Sequence, residues 1–372
     1  MAVDRRAALV TLASSLLGLG ASGCRGPAGA AGPRATRSAL QSPYRVEARR
    51  PLFAGTRGHR VAARLGAPVR DLLGVSYYVD DARSVPDRAL RAQNEAVMQP
   101  VRAFVTSVAG LADDWLRGEP PAFESAARAV EALASWARAG ALLGVTNRQG
   151  AFELKWTLGG LALAYLKVKD APGPSASRRA RVEDWLREVA LRVTPAYERR
   201  ELVSNRNNHA YWAGMAVAAA GIAADDDALF AWGMSRARIG IEAVQPDGVL
   251  PLELARQSLA LHYHVFALTP LILLAEMGEA NGVPLYAENE RAIRRLAERV
   301  ISGLQDPAGF ARLTLARQKI ELPPSGTRLS WAEPYHARFP DPRLAAWLGA
   351  ARPLVDRRLG GDVTLAFGAP RL

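Results

Sequence analysis

Asn207-Asn208-His209-Ala210-Tyr211-Trp212-Ala213-Gly214-Met215-Ala216-Val217-Ala218-Ala219-Ala220-Gly221 decides the fold class. Its second half holds only small and apolar residues and no polar face, the composition of a helix enclosed by other helices. Its first half groups two amides, an imidazole and two aromatics. Asn207 and Asn208 are good N-cap types, so the helix is predicted to begin there. Amides and imidazole can hydrogen-bond a carboxylate, and aromatic rings can stack on sugar rings. Each residue taken singly also fits a cap or a satisfied core histidine, but five such residues within six positions point to a site.

Working outward, the chain reads as helices of ordinary length separated by short Pro, Gly and Asp loops. Pro86-Asp87 opens one, with apolar positions at Val97, Val101, Phe104, Val105, Val108 and Leu111, and Glu119-Pro120-Pro121 stops it. Phe123 to Leu143 is amphipathic and breaks near Gly144. Phe152 to Val168 and Arg178 to Tyr197 flank a turn at Ala171 to Ser177. The Asn207 helix ends at Asp225-Asp226-Asp227. Ala228 to Val244, Ser258 to Asn281 and Glu288 to Leu304 follow. No strand-rich block and no fixed-period repeat interrupts them, so the pattern predicts an all-α chain of antiparallel helix pairs. An inner ring of small-residue helices such as Ala213 to Gly221, inside an outer ring of charged ones such as Ala180 to Arg192, gives a helical toroid.

The 372 residues carry a formal charge of +12. A basic surface attracts polyanions, although a GC-rich genome also raises arginine. There is no zinc-finger spacing, no RNP-like strand and no dense Lys/Arg block, so the sequence favours an acidic polysaccharide over nucleic acid. Arg5-Arg6, the apolar run Ala7 to Gly20 and the small residues Ala21-Ser22-Gly23 form an export signal over residues 1–24. Cys24, the sole cysteine, stands where a lipoprotein would be lipidated, with Ala21 where a leucine is usual. A periplasmic or cell-envelope location follows, with lipid anchoring to the membrane as an open option. Residues 25–65 are rich in Gly, Ala, Pro and Arg and read as a flexible lead-in. Residues 66–372 form the expected catalytic domain, a monomer. After the signal, no apolar run is expected to span a bilayer.

A second cluster lies at Arg256 and His262-Tyr263-His264. In a continuous helix Arg256 and Tyr263 would share a face two turns apart. A guanidinium beside a phenol lowers its pKa from about 10, which would make Tyr263 usable as a base. His262 and His264 would diverge on a helix. No His-Glu-x-x-His pattern and no cysteine ligand pair exists, so chemistry without metal or cofactor is expected. A glycoside hydrolase would need paired carboxylates facing the cleft, for which Glu253 and Glu333 are the candidates.

Asn207-Asn208-His209-Ala210-Tyr211-Trp212-Ala213-Gly214 resembles the signature of the helical-toroid alginate lyases, polysaccharide lyase family 5. Asp247 to Leu254 followed by Arg256, Ala260-Leu261-His262-Tyr263-His264, Ser330 to Tyr335 and Arg358 to Thr364 resemble its later stretches. Lys155-Trp156 and Ser76-Tyr77-Tyr78 resemble its Lys-Trp and its Ser-Lys-Tyr lid. The similarity runs from about residue 70 to 368. The resemblance implies an incomplete (α/α) toroid with a basic cleft, and cleavage of mannuronate-rich alginate by β-elimination. It assigns Asn208, His209 and Arg256 to neutralising the uronate carboxylate. Tyr263 would take the C5 proton and return one to the leaving oxygen, with His209 as rival base. Tyr78, Lys155, Trp156, Tyr211 and Trp212 would line subsites, and Asn207 and His264 complete the expected binding set. Tyr77 in place of the lid lysine, Leu252 in place of an asparagine, and Ala255 and Leu259 at often basic positions depart from the family. They leave open another uronate polymer, or a non-catalytic polysaccharide-binding or secretion protein on the same scaffold.

Overall fold

A computed structural model describes residues 39–44, 65–80, 85–118 and 122–368. The expected signal segment, Cys24 and the Glu119-Pro120-Pro121 stop lie outside these residues. Eight long helices carry the architecture: α1 Arg88–Arg117, α2 Ala122–Arg138, α3 Arg148–Val168, α4 Ala176–Val193, α5 Asn208–Ala224, α6 Asp227–Ala243, α7 Ala260–Ala280 and α8 Glu288–Gln305. Their starts follow capping chemistry. Asp87, Asn147, Ser175, Asn207 and Asp226 each accept a hydrogen bond from a backbone N–H of the first turn.

The odd helices form an inner row, α1 packing on α3, α3 on α5 and α5 on α7, and the even helices lie outside them. Composition explains the sorting. Helices α3, α5 and α7 are buried along almost their whole length. Outer α4 buries only the stripe Val182, Trp185, Leu186, Val189, Ala190 and Val193. The contact of α5 with α6 is the tightest of the packing. A Cβ on Gly214 would lie 2.6 Å from Arg236 Cβ, and one on Gly233 would lie 2.6 Å from the Gly214 carbonyl oxygen. The small-residue run is thus the condition for this approach.

The chain after α8 turns back along the ring. Ala332–Arg338 packs on α7, and a two-stranded hairpin, Val355–Asp356 with Gly361–Asp362, leads into Val363–Phe367 and lies against α1 and α3. Buried Lys167 of α3 ties this end down, donating to Asp113 of α1 at 2.6 Å and to the Gly360 carbonyl at 2.7 Å. The result is the expected all-α, incomplete (α/α) toroid.

Four expectations need correction. The lead-in does not extend unbroken to residue 65. Leu40 N–H donates to Asp225 at 2.8 Å, Gln41 and Asn281 exchange two hydrogen bonds, and Tyr44 packs on Phe367. The compact unit begins at Ala39. Gln257–Ala280 is long and apolar enough to cross a membrane, with a mean hydropathy of 1.6, yet 78% of that window is buried, as befits a core helix. Helix α2 stops at Arg138, well short of Leu143, because the chain turns through Gly140 at φ 60° and Leu142 at φ 64°. Finally, Arg256 and Tyr263 do not share a continuous helix. One helical turn at Pro251–Leu254 and a 3₁₀ turn at Gln257–Leu259, with Gln257 at φ 49°, precede α7.

Candidate active site

A cavity of about 1320 Å³ opens beside the inner helices. Its walls come from residues 76–80, from α1, from the first turns of α3 and α5, from the Arg256 turn and start of α7, and from the C-terminal segment. Among the described residues lining it, the cations are Arg91, Arg102, Arg148, Arg256, Lys319, Arg328, Arg357 and Arg358, against the carboxylates of Asp80, Glu95 and Glu153. Glu95 pairs with Arg91 and Glu153 with Arg102. The excess positive charge in a concave site favours an anionic ligand.

Tyr263 lines the cavity. Its hydroxyl lies 3.0 Å from that of Tyr78, and the Arg256 guanidinium lies 3.8 Å from the Tyr263 ring centroid. Proximity of arginine and tyrosine is therefore as expected, although the backbone between them bends. The electrostatic outcome is not. Burial, followed by the neighbouring Tyr78, pushes the Tyr263 phenol above the ordinary tyrosine range, and Arg256 only partly offsets this. The cation covers the ring face. In the unliganded site Tyr263 is a protonated phenol.

His209 also lines the cavity. Asn207 fixes its position by accepting from His209 N–H at 3.0 Å, and Phe152 stacks on its ring at 4.2 Å. The indole of Trp156 lies 6.1 Å from His209, and Arg358 sits 5.8 Å over Trp156.

The remaining candidates stand behind the wall. Asn208 is 1% exposed, and both its backbone N–H and its side-chain amide donate to buried Glu253. Lys155 is fully buried beneath His209. Tyr211 is buried and donates to the Arg206 carbonyl. Trp212 donates to the Phe266 carbonyl and reaches only an adjoining pocket of about 370 Å³. His264 is buried with both nitrogens engaged: Nε2 accepts from Leu250 N–H, and Nδ1 donates to the Ala260 carbonyl. Burial holds it down at about 4. Asn208, expected to neutralise the carboxylate, and Asn207, Lys155, Tyr211, Trp212 and His264, expected to bind substrate, therefore stand behind the cavity wall as supports in this structure. The chief reason is that α5 is enclosed on almost every side and presents only His209 of its first turn to the cleft.

The sequence did not single out Phe152, Phe266 or Arg358 as cleft residues, and it named His262 only within the second cluster, without a role. His262 takes the wall position expected of His264, edge-on to Tyr263 at 5.3 Å and stacked over Phe266. The signal was the one-residue offset between them, which only the helix phase resolves. The hydrolase candidates do not meet. Glu253 holds Asn208, and Glu333 is buried against Arg352 and Thr364. Among the described residues no group of three or more His, Cys, Asp or Glu could hold a metal ion.

The family model described as alginate lyase matches residues 35–310. A polysaccharide lyase of Stenotrophomonas maltophilia (strain K279a) is 43% identical over 303 residues, 79% of this chain and 87% of that protein. An alginate lyase of Azotobacter chroococcum mcd 1 is 34% identical over 294 residues, covering 77% and 78% of the two chains. In three dimensions, alginate lyase A1-III from Sphingomonas species A1 superposes with a TM-score of 0.73 at 27% identity, covering 90% of this chain and 98% of that one. Its tyrosine-to-phenylalanine variant complexed with a tetrasaccharide gives a TM-score of 0.77 at 26% identity, with the same coverage. The chain belongs to the alginate lyase family.

Proposed function

We propose that this protein is an exported polysaccharide lyase that cleaves mannuronate-rich alginate by β-elimination and leaves 4,5-unsaturated uronate ends. The observation that carries this reading is the meeting of Tyr263, Tyr78, Arg256 and His209 in one basic cleft. Removing the C5 proton of a uronate places further charge beside a carboxylate that is already negative. Donors that neutralise this carboxylate lower the barrier. Arg256 and His209 supply them, and Asn208, clamped by Glu253, holds the helix turn that presents His209. The Tyr263 oxygen takes the C5 proton while its own hydroxyl proton passes to O4, as the C4–C5 double bond forms and the C4–O4 bond breaks. A single phenol serves both ends because in mannuronate the C5 proton and the leaving oxygen lie on the same face. The Tyr78 hydroxyl, 3.0 Å away, holds the Tyr263 oxygen in place for this exchange.

Export is supported by Arg5-Arg6, the apolar run after them and the small residues before Cys24. On this reading the reaction takes place in the periplasm or cell envelope. A second reading keeps the chemistry and changes the polymer. Tyr77 and Leu259 line the cleft at positions the family often makes basic, and the 43% identical relative is described only as a polysaccharide lyase.

The test is ultraviolet absorbance of the unsaturated end during action on polymannuronate, polyguluronate and other polyuronates. A rise on polymannuronate is the expected result. A rise on a different polyuronate alone would reassign the polymer. Cleavage with new reducing ends but no absorbance would refute elimination.

A further inference from the structure

Lys155 was expected on the cleft wall, yet its side chain is fully buried in α3. Its Nζ lies 3.1 Å from His209 Nδ1 and 3.3 Å from the Phe152 carbonyl oxygen. It also lies 4.1 Å from the Trp156 ring centroid and 4.6 Å from that of Phe152. Carbonyl oxygens and aromatic faces receive hydrogens and donate none. Lys155 is thus surrounded by acceptors and acts as a donor on every side. An ammonium has only hydrogens to give. Burial lowers the Lys155 pKa well below the ordinary lysine value, while the Glu153 carboxylate raises it, and the Phe152 carbonyl and the two ring faces favour an ammonium over an amine with a lone pair to spare. His209 Nδ1 is then the accepting nitrogen, and the proton of the neutral ring sits on Nε2. Phe152 stacks on the imidazole at 4.2 Å and 14°, which fixes the plane of the ring, and the Lys155 contact fixes which edge faces inward.

We propose that Lys155 is a positioning residue that holds His209 as the neutral Nε2–H tautomer and turns that N–H toward the cleft to meet a uronate carboxylate. The identity of the acceptor rests on the lyase reading; the tautomer does not. The assignment separates the roles of the two candidate bases. A ring with hydrogen on Nε2 and Nδ1 filled by lysine has no lone pair left for the C5 proton. Protonating Nδ1 would set an N–H against the Lys155 ammonium, which has no lone pair to receive it. His209 is therefore a donor, and proton transfer falls to Tyr263.

The test is a long-range proton–nitrogen correlation spectrum of protein labelled at histidine, which distinguishes Nε2–H, Nδ1–H and imidazolium. The His209 signal is identified by its loss in His209→Ala. The wild-type spectrum at neutral pH should show Nε2–H. In Lys155→Met the ring should move to Nδ1–H or to averaged tautomers. The kcat should fall about a hundredfold through lost orientation, with a smaller change in KM. Lys155→Gln, which restores a donor, should recover part of both readouts. A wild-type His209 found as Nδ1–H or as imidazolium overturns the proposal whether or not any variant folds. So does Lys155→Met with an unchanged Nε2–H signal. The spectrum requires no substrate, so an inactive protein with an Nε2–H ring would remove the lyase reading and leave the role of Lys155 standing.

Discussion

The clusters at Asn207–Trp212 and Arg256–His264 have the same character in the sequence but are used differently. The first places one residue on the cleft wall, His209. Its asparagines cap and clamp the helix start, and its aromatics enter the core. The second places four, Arg256, Leu259, His262 and Tyr263. The difference lies in the backbone. A continuous inner helix directs successive side chains about 100° apart, and its neighbours absorb those that do not point at the opening. The 3₁₀ turn at Gln257–Leu259 breaks that phase and folds the Arg256 guanidinium back over the Tyr263 ring. Residues that converge for chemistry thus come from the irregular turn and the helix start it feeds.

Substitutions can sharpen this contrast. Arg256→Ala should have the largest effect short of removing the Tyr263 hydroxyl, lowering kcat by about a hundredfold to a thousandfold with the fold intact, as for loss of one preorganised donor. Steady-state kinetics with circular dichroism as control would check it, and a change in KM alone would reduce Arg256 to a binding residue. Gly233→Val should come next, acting on the helix wall rather than the site. Forcing a side chain against the Gly214 carbonyl should cost about 1–3 kcal/mol or more in denaturant unfolding.

The buried histidines supply a pH test. His264 and His262 are both depressed to about 4 from 6.5, so between these values the unfolded chain binds more protons than the folded one. Stability should therefore fall as pH drops from 6.5 toward 4, by about 1.4 kcal/mol per pH unit for each histidine. Melting temperatures across that range would show it, and replacing buried His264 should flatten the slope. Tyr211→Phe should have the smallest effect. It loses only the hydrogen bond to the Arg206 carbonyl, about 1 kcal/mol, and should leave kcat unchanged. A large loss of activity would return Tyr211 to the site.

Most of the helical order was legible because it rests on local chemistry. Asp87, Asn207 and Asp226 cap helices, and the Ala and Gly run of α5 marks an inner helix. Within the site, Tyr78, Trp156, His209, Arg256 and Tyr263 were legible through the family resemblance, and all five line the cavity. Side-chain direction was not. A helix buried all round has no apolar face from which to read phase, so Tyr211, Trp212 and His264 could not be told from cleft residues. Lys155 was misread for a different reason. A lysine beside a tryptophan looks like a subsite, and only the packing of α3 on α5 shows that its amine ends on His209. The docking of Ala39–Tyr44 depends on partners as distant as Asp225, Asn281 and Phe367, which no local pattern announces.

The central claim is that Tyr263 transfers the proton while Arg256 and His209 hold the carboxylate. It is tested most directly by pairing turnover with binding in Tyr263→Phe. Removing the hydroxyl should abolish formation of unsaturated ends on polymannuronate, a loss of about a thousandfold or more, while calorimetry shows a mannuronate oligosaccharide still bound. Unsaturated product formed at a rate near that of the wild type would contradict the account and move the base to another residue of the cleft.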